Sequence, residues 1–201
     1  MSRIARASLT VLASIVAFPL VLTGVVYFQS TTPPQGCRDW ATEYSQEKRM
    51  LSETTDASNR VGILSEAAKS AVEVGDPIEA ERCAREALQL LPQVKRDWNY
   101  GNIIHDSHMA LGRVALRRGD IANARRELLL AGRTPGSPQL NSFGPNMSLA
   151  ADLLHAGERG VVVAYFHECS SFWELGRPRL RRWETLVKYH LPPDFGPNFL
   201  F

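Results

Sequence analysis

The chain lacks charge almost completely at its start, and beyond that point it lacks an excess of either sign. Arg3 and Arg6 are the only charged residues before Arg38. The remaining 21 basic and 21 acidic side chains cancel, so the +2 formal charge of the 201-residue chain comes from its N-terminus. A body without net charge has no overall field to attract nucleic acid, and we expect no nucleic-acid partner.

Cysteine and the short motifs of common enzyme classes are also scarce. Cys37, Cys83 and Cys169 are far apart and form no Cys-x-x-Cys pair, which argues against a disulfide framework and a zinc site. The chain has no phosphate loop ending in Lys-Ser/Thr, no Gly-x-Ser-x-Gly and no His-Glu-x-x-His. We therefore expect no cofactor, no metal and no enzymatic activity. Whether Cys83 and Cys169 pair stays open.

A long apolar run follows the two N-terminal arginines. Leu9 to Phe28 is 20 residues of mostly Leu, Val, Ala and Phe, and a helix of that length spans roughly 30 Å, the thickness of bilayer hydrocarbon. The alternative is a cleaved signal peptide, but its apolar stretch is shorter, and GVVYFQS offers no Ala-x-Ala site. We expect residues 1–30 to form a short stub and an uncleaved transmembrane anchor.

The position of the arginines predicts the orientation of this anchor. They precede the apolar run and no positive charge closely follows it, which places the N-terminus in the cytoplasm by the positive-inside rule. Residues 31–38 contain Pro33 and Pro34 and predict a stiff spacer. The predicted protein is a single-pass membrane protein whose helical domain, residues 39–201, lies on the exoplasmic side (periplasmic or extracellular).

From Asp39 onward the apolar residues recur with a helical period. Leu64, Ala67, Ala68 and Ala71 share one helical face. Gly75-Asp76-Pro77 then predicts a helix end followed at once by a new helix, with aspartate as N-cap and proline in the first turn. The segment therefore predicts two antiparallel helices joined by a tight turn.

The same pattern is written three times. Gly119-Asp120 repeats Gly75-Asp76 after 44 residues, and Gly157-Glu158 is a weaker copy after another 38. Small side chains at matching places allow the paired helices to approach closely. We predict hairpins at about residues 59–92, 105–132 and 147–173, then a C-terminal helix at about 179–190 and a capping tail.

These hairpins resemble the tetratricopeptide repeat (TPR) superfamily, whose repeat is about 34 residues of helix–turn–helix. The likeness is carried by Leu111-Gly112 and Ala115 in a first helix, and by alanines at matching places of the second helices, such as Ala80 and Ala124. Leu64 or His108 stands where a TPR usually has tryptophan, and the spacing is longer. The resemblance covers roughly residues 59–170 and implies an all-α, TPR-like antiparallel helical-hairpin solenoid.

Two inserts lengthen the spacing, KRDWNYGNII (residues 95–104) and TPGSPQLNSFGPN (134–146). The second is expected to have no helix of its own. We expect Phe143 to anchor it in the core and Asn146 to cap a helix that starts at Met147.

The tetrapeptide FGPN occurs at residues 143–146 and again at 195–198, too near the C-terminus to start a helix. The two copies are expected to fill similar grooves between helices. We expect Phe195, Phe199 and Phe201 to fold back over the end of the stack, because a terminal repeat must cover its apolar face.

Helical-hairpin solenoids present a concave surface that typically binds other proteins. Aromatic and arginine side chains dominate such contacts. We therefore predict a protein or peptide partner, and the candidate contacts in and after the first insert are Trp98, Tyr100, Asn102, His105, His108 and Arg113. The alternative for Trp98 and Tyr100 is that they fill the gap made by the insert.

Two other functions stay open. One is an enzyme or metal-dependent activity at His105, Asp106 and His108 with a carboxylate from a neighbouring helix; the other is a structural subunit of a larger membrane assembly. His167 and Cys169 flank Glu168, but residues so close along a helix point apart and do not form a nucleophile–base pair. The basic stretch at 177–190 predicts an amphipathic helix with arginines in water, or a contact to anionic lipid or an acidic partner.

Overall fold

A computed structural model describes residues 38–199. The predicted anchor (residues 9–28), all of the spacer before Arg38, and Phe201 of the predicted cap lie outside these residues. Within the described range, no helix combines the length and the apolar character needed to cross a membrane.

The described residues form helices and no β-strand, as expected for an all-α domain. Two short 3-10 turns, Leu91–Gln93 and Gly196–Phe199, accompany them. The nine α-helices between residues 38 and 199 are α1 (Trp40–Glu53), α2 (Ala57–Val74), α3 (Pro77–Leu90), α4 (Tyr100–Arg117), α5 (Ile121–Gly132), α6 (Pro138–Phe143), α7 (Ser148–His155), α8 (Arg159–Cys169) and α9 (Arg177–Lys188).

The Gly-Asp turns work as their chemistry predicts. Gly75 ends α2 in the left-handed conformation at φ 81°, which glycine adopts at no steric cost. The Asp76 side chain then accepts a hydrogen bond from the Glu79 amide and starts α3. Asp120 caps α5 in the same way, whereas Glu158 makes no capping bond, in keeping with the weaker third copy.

Antiparallel pairs form between α2 and α3, α4 and α5, and α7 and α8, and each pair packs against the next. The first helices also meet directly, α2 against α4 and α4 against α7. Gly112 permits one of these close contacts, because a Cβ added there would lie 2.2 Å from Leu149 Cδ2. The Tyr44 hydroxyl of α1 donates to Asp76, which ties α1 to the first turn.

The second insert differs from its expectation in two ways. It contains the short helix α6, because Ser137 caps it and Pro138 starts it. Leu140 takes the buried position of this helix, which leaves Phe143 75% exposed instead of anchored in the core. Asn146 does accept a hydrogen bond from the Ser148 amide (2.7 Å). The helix starts at Ser148, one residue after the predicted start at Met147.

The two FGPN copies do not fill separate grooves; they contact each other. The Asn198 side chain donates to the carbonyls of Phe143 (2.9 Å) and Pro145 (3.1 Å), and the Met147 amide donates to the Asn198 carbonyl (2.7 Å). Phe195 is buried, with its ring centroid 5.0 Å from that of Trp183. The C-terminal copy therefore closes the loop formed by the first copy.

Candidate functional site

The surface between α1, α2 and the turn that leads into α4 contains a groove of about 510 Å³. We call it the Trp98 groove. Its lining residues come from these three segments and from the first turn of α4: Glu43, Gln46, Glu47, Met50, Ser58, Asn59, Gly62, Ile63, Glu66, Asp97, Trp98, Asn99 and Ile103.

Apolar side chains form one part of the Trp98 groove and are left in contact with water. Trp98 is 67% exposed and Met50 is 46% exposed. The turn that holds Trp98 is fixed locally, because the Asn99 amide donates to the Asp97 carboxylate at 2.7 Å. Tryptophan is enriched among the residues that contribute most to protein–protein binding, and here it lies at a groove.

The charged part of the groove is acidic. Among residues 38–199 the lining contains four carboxylates, Glu43, Glu47, Glu66 and Asp97, and no lysine or arginine. Arg38 pairs with Glu43 (2.9 Å) and Lys69 with Glu66 (2.8 Å) from outside the lining.

Glu47 has no such ion pair within the described range. Burial raises the pKa of its carboxyl to about 7, although a hydrogen bond from Ser70 acts in the opposite direction. Its Oε2 atom is buried and accepts no hydrogen bond from the described residues, and the same is true of Asn99 Oδ1. A buried acceptor without a donor is costly, so both oxygens make this part of the fold less stable.

Gly62 forms an open part of the groove in the middle of α2. A Cβ added at Gly62 would meet no atom of the described residues within 4 Å, whereas one at Gly101 would lie 1.9 Å from the Gly136 carbonyl oxygen. Packing therefore explains Gly101 but not Gly62. A glycine inside a helix costs about 1 kcal/mol relative to alanine, and here the cost keeps space open on the surface.

A buried chain of polar side chains begins directly behind Glu66. Lys69 Nζ binds Glu66 and also Asp106 (3.1 Å), and Asp106 accepts from His105 Nδ1 (2.7 Å). His105 Nε2 meets the Tyr165 hydroxyl at 3.0 Å. Although burial acts in the opposite direction, Lys69 and His105 hold the pKa of Asp106 well below its ordinary value. These side chains therefore link α2, α4 and α8 in one buried row of polar contacts.

The Tyr165 hydroxyl lies between two partners at the inner end of this row. It donates to the Asn146 carbonyl at 2.8 Å and lies 3.0 Å from His105 Nε2. The loop before α7 is therefore tied to the same row as α2, α4 and α8.

The six predicted contact residues take very different positions. Trp98 lies on the surface, and Tyr100 is half-buried at the start of α4. Asn102 and His105 are buried; the Asn102 side chain donates to Gln139 at 2.7 Å and accepts from Ser137. The other two are bound within the domain, His108 to Glu127 (2.7 Å) and Arg113 to Glu73 and to Asp152 (3.2 Å).

His105 and His108 do not converge on a shared carboxylate, since one pairs with Asp106 and the other with Glu127. The part of the chain that the structure describes contains no cluster of three or more His, Cys, Asp or Glu side chains arranged to hold a metal. Cys83 and Cys169 are both free and buried, and burial raises the pKa of the Cys83 thiol to about 12.

The remaining groove residues were missed by sequence reasoning, which did not place α1 against α2. Two signals were present. Gly62 interrupts a helical pattern without a nearby turn, and Glu43 and Glu47 lie one helical turn apart on the same face.

Comparison of the chain with protein-family models, with curated proteins and with solved structures finds no match in any of the three.

Proposed function

We propose that this protein is a membrane-anchored, TPR-like helical-repeat scaffold whose Trp98 groove binds a segment of another protein. The observation that carries the proposal is the pairing of an exposed tryptophan with an open helix glycine, Trp98 with Gly62, across one groove. Each is unfavourable for the isolated domain, and a partner that covers Trp98 and approaches Gly62 closely would account for both.

The repeat part of the proposal is supported by the way the hairpins succeed one another. A Gly-Asp or Gly-Glu turn joins the two helices of each pair, α2–α3, α4–α5 and α7–α8. The first helices of the three pairs lie next to one another in chain order. That arrangement is typical of solenoids, whose neighbouring repeats share a continuous surface.

Within this proposal the predicted contact residues have two roles. Trp98 would touch the partner. Asn102, His105, His108 and Arg113 would act as positioning residues, because their polar atoms hold α4 to α5, α7, α8 and the second insert. Tyr100 would support the turn that carries Trp98.

The membrane part of the proposal rests on the composition of residues 9–28 alone. It predicts that residue 37 faces the exoplasmic side, and the chain supplies its own reporter. Cys83 and Cys169 are buried, so Cys37 is the thiol expected to react. A membrane-impermeant maleimide should label intact cells that carry the protein, and Cys37→Ser should abolish the label. Labelling that requires permeabilised cells would contradict the topology.

Site-directed photocross-linking tests the binding role. A photoreactive phenylalanine at position 98 of the full-length, membrane-embedded chain should form adducts with a second polypeptide. The matched control is position 189, since Tyr189 is another aromatic residue that is 74% exposed. Adducts from position 98 but not from 189 are expected. Equal adducts from both positions, or adducts only with residues of the same chain or with a second copy, would overturn the proposal.

A blocking variant sharpens this test. Gly62→Phe should fill the groove without disturbing the core, because the site is open, and should abolish the adduct from position 98. Gly160→Phe is the matched control, since Gly160 is a helical glycine of α8 with equally open space. If Gly62→Phe leaves the adduct unchanged, the partner does not bind in the groove.

A further inference from the structure

The chemistry of the Trp98 groove narrows the kind of partner it accepts. The four lining carboxylates face one small volume, and no lysine or arginine from the described residues lines it. Two of the carboxylates, Glu47 and Asp97, lack the ion pairs that Glu43 and Glu66 make. A cationic group entering between them would meet favourable charge on several sides.

The hydrogen-bonding groups of the groove favour the same kind of group. The four lining carboxylates are half-buried, and an ionised carboxylate only accepts hydrogen bonds. A lysine ammonium carries three donors and an arginine guanidinium carries five, and neither accepts. A basic side chain therefore supplies donors to these carboxylates without adding an unpaired acceptor.

The apolar part of the groove indicates which residue type stands next to that basic side chain in the partner. Trp98 and Met50 are exposed, and Ile63 is half-buried beside them. An aliphatic side chain, or the methylene stem of a lysine or arginine, would cover this surface and leave the charged end among the carboxylates. A basic side chain can also lie over the face of Trp98.

We infer that the Trp98 groove selects a peptide segment in which a lysine or arginine stands next to a large apolar residue, with the basic group bound by Glu47 and Asp97 and the apolar residue against Trp98. This inference rests on the proposed function, since it names the partner of the same groove. Gly62 would allow the backbone of the segment to approach α2.

Binding of a cation should be linked to proton release from Glu47. Burial raises the pKa of this carboxyl to about 7, with Glu43 on its own helix and Glu66 across the groove raising it further and Lys69 lowering it; Asp97 lines the same groove. A bound cation stabilises the ionised form, so affinity should increase as the pH rises through about 7 and level off above it.

Three matched probes test the inference on the full-length protein in nanodiscs. They are capped peptides of about ten residues in which leucine alternates with lysine, glutamine or glutamate. Binding is followed by the indole N–H resonance of Trp98, assigned by its loss in Trp98→Phe. We expect the lysine peptide to bind about tenfold more tightly than the glutamine peptide, since hydrogen bonds to charged groups typically contribute that much, and the glutamate peptide to bind most weakly.

Variants localise the effect. Glu47→Gln combined with Asp97→Asn should reduce the preference for the lysine peptide about tenfold, whereas Glu174→Gln, an exposed carboxylate outside the groove, should not change it. Equal binding of all three peptides would overturn the cation preference and leave the groove as a binding site. Binding of none, together with the absence of adducts at position 98, would overturn both proposals. A Trp98 shift that depends only on protein concentration would make a second copy the occupant and overturn the inference.

Discussion

The two halves of the described domain pack their helices with different side chains. The core around α2 and α3 is built largely from alanine; Ala67, Ala71, Ala80 and Ala84 are all fully buried. The core around α8 and α9 is built from aromatic rings, including Phe166, Trp173, Trp183 and Phe195. Small side chains let helix axes lie close together, whereas aromatic rings bury a large apolar area per residue.

The two ends of the described domain differ in how completely they are covered. At the C-terminal end, the tail fills the space beside α9 with Phe195, and Asn198 satisfies the loop carbonyls. At the N-terminal end, α1 packs on α2 but leaves the Trp98 groove open, with two buried oxygens unsatisfied within the described range. Among residues 38–199, the C-terminal end is closed by the tail, whereas the N-terminal end keeps an open groove.

The largest expected effect comes from the aromatic core. Trp183→Ala should reduce the free energy of unfolding by about 3–5 kcal/mol, because a buried ring and its hydrogen bond to the Asp194 carbonyl are both lost. Urea denaturation of the full-length protein, followed by far-ultraviolet circular dichroism, measures this.

In the alanine core, enlarging a buried side chain should be the destabilising change. Ala84→Leu should cost about 1–3 kcal/mol by overpacking, while Trp183→Phe, which keeps a ring, should cost less than Trp183→Ala. If Ala84→Leu proves neutral, the α2–α3 contact is looser than close alanine packing requires.

The buried row of polar side chains from Lys69 to Tyr165 joins the two halves of the domain. Lys69→Met should reduce the free energy of unfolding by about 3 kcal/mol, because it leaves the buried Asp106 carboxylate without its lysine partner. Arg85→Ala removes an exposed ion pair with Glu81 and should cost less than about 0.5 kcal/mol. Comparable losses in the two variants, measured by the same denaturation, would show that the row contributes no more than a surface pair.

The features that were predictable from sequence act over short distances. Gly75-Asp76 ends one helix and starts the next through its own backbone angles and side chain, so the turn can be predicted from these two residues alone. The Trp98 groove could not be predicted from the sequence, because Trp98 and Glu47 are brought together only by the way α1 lies on α2. The contact between the FGPN copies depends likewise on where α9 leaves the tail, and no local pattern specifies that.

That contact has a measurable strength. Asn198→Ala should lower the free energy of unfolding by about 2 kcal/mol, because the carbonyls of Phe143 and Pro145 lose their donor in a buried setting. Asn141→Ala, at an exposed position of α6, should change it by less than about 0.5 kcal/mol. Thermal melting separates the two, and an Asn198 variant as stable as the control would mean that the tail does not close this end.

The open end should show its cost as a pH dependence. Burial raises the folded-state pKa of Glu47 from 4.5 to about 7. The contribution of this carboxyl to the free energy of unfolding is therefore fully present below pH 4.5 and is lost as the pH rises through 7. Glu47→Gln stays neutral and should be more stable than the parent by about 2 kcal/mol near pH 8, allowing for partial exposure, and similar to it near pH 4.5. A constant difference across this range, in denaturation at both pH values, would contradict the assignment.

The smallest effect bears most directly on function. Gly62→Ala should raise the free energy of unfolding by about 0.5–1 kcal/mol, since alanine favours the helix and its Cβ meets no atom of the described residues. Gly160→Ala should gain less, because Gly160 lies in the first turn of α8. The added methyl group also enters the groove, so the same Gly62 variant should weaken binding of the lysine peptide while Gly160→Ala does not. A helix position that becomes more stable and less able to bind is what a groove kept open for a partner requires; loss of stability at Gly62 would instead show that the space is already filled within the protein.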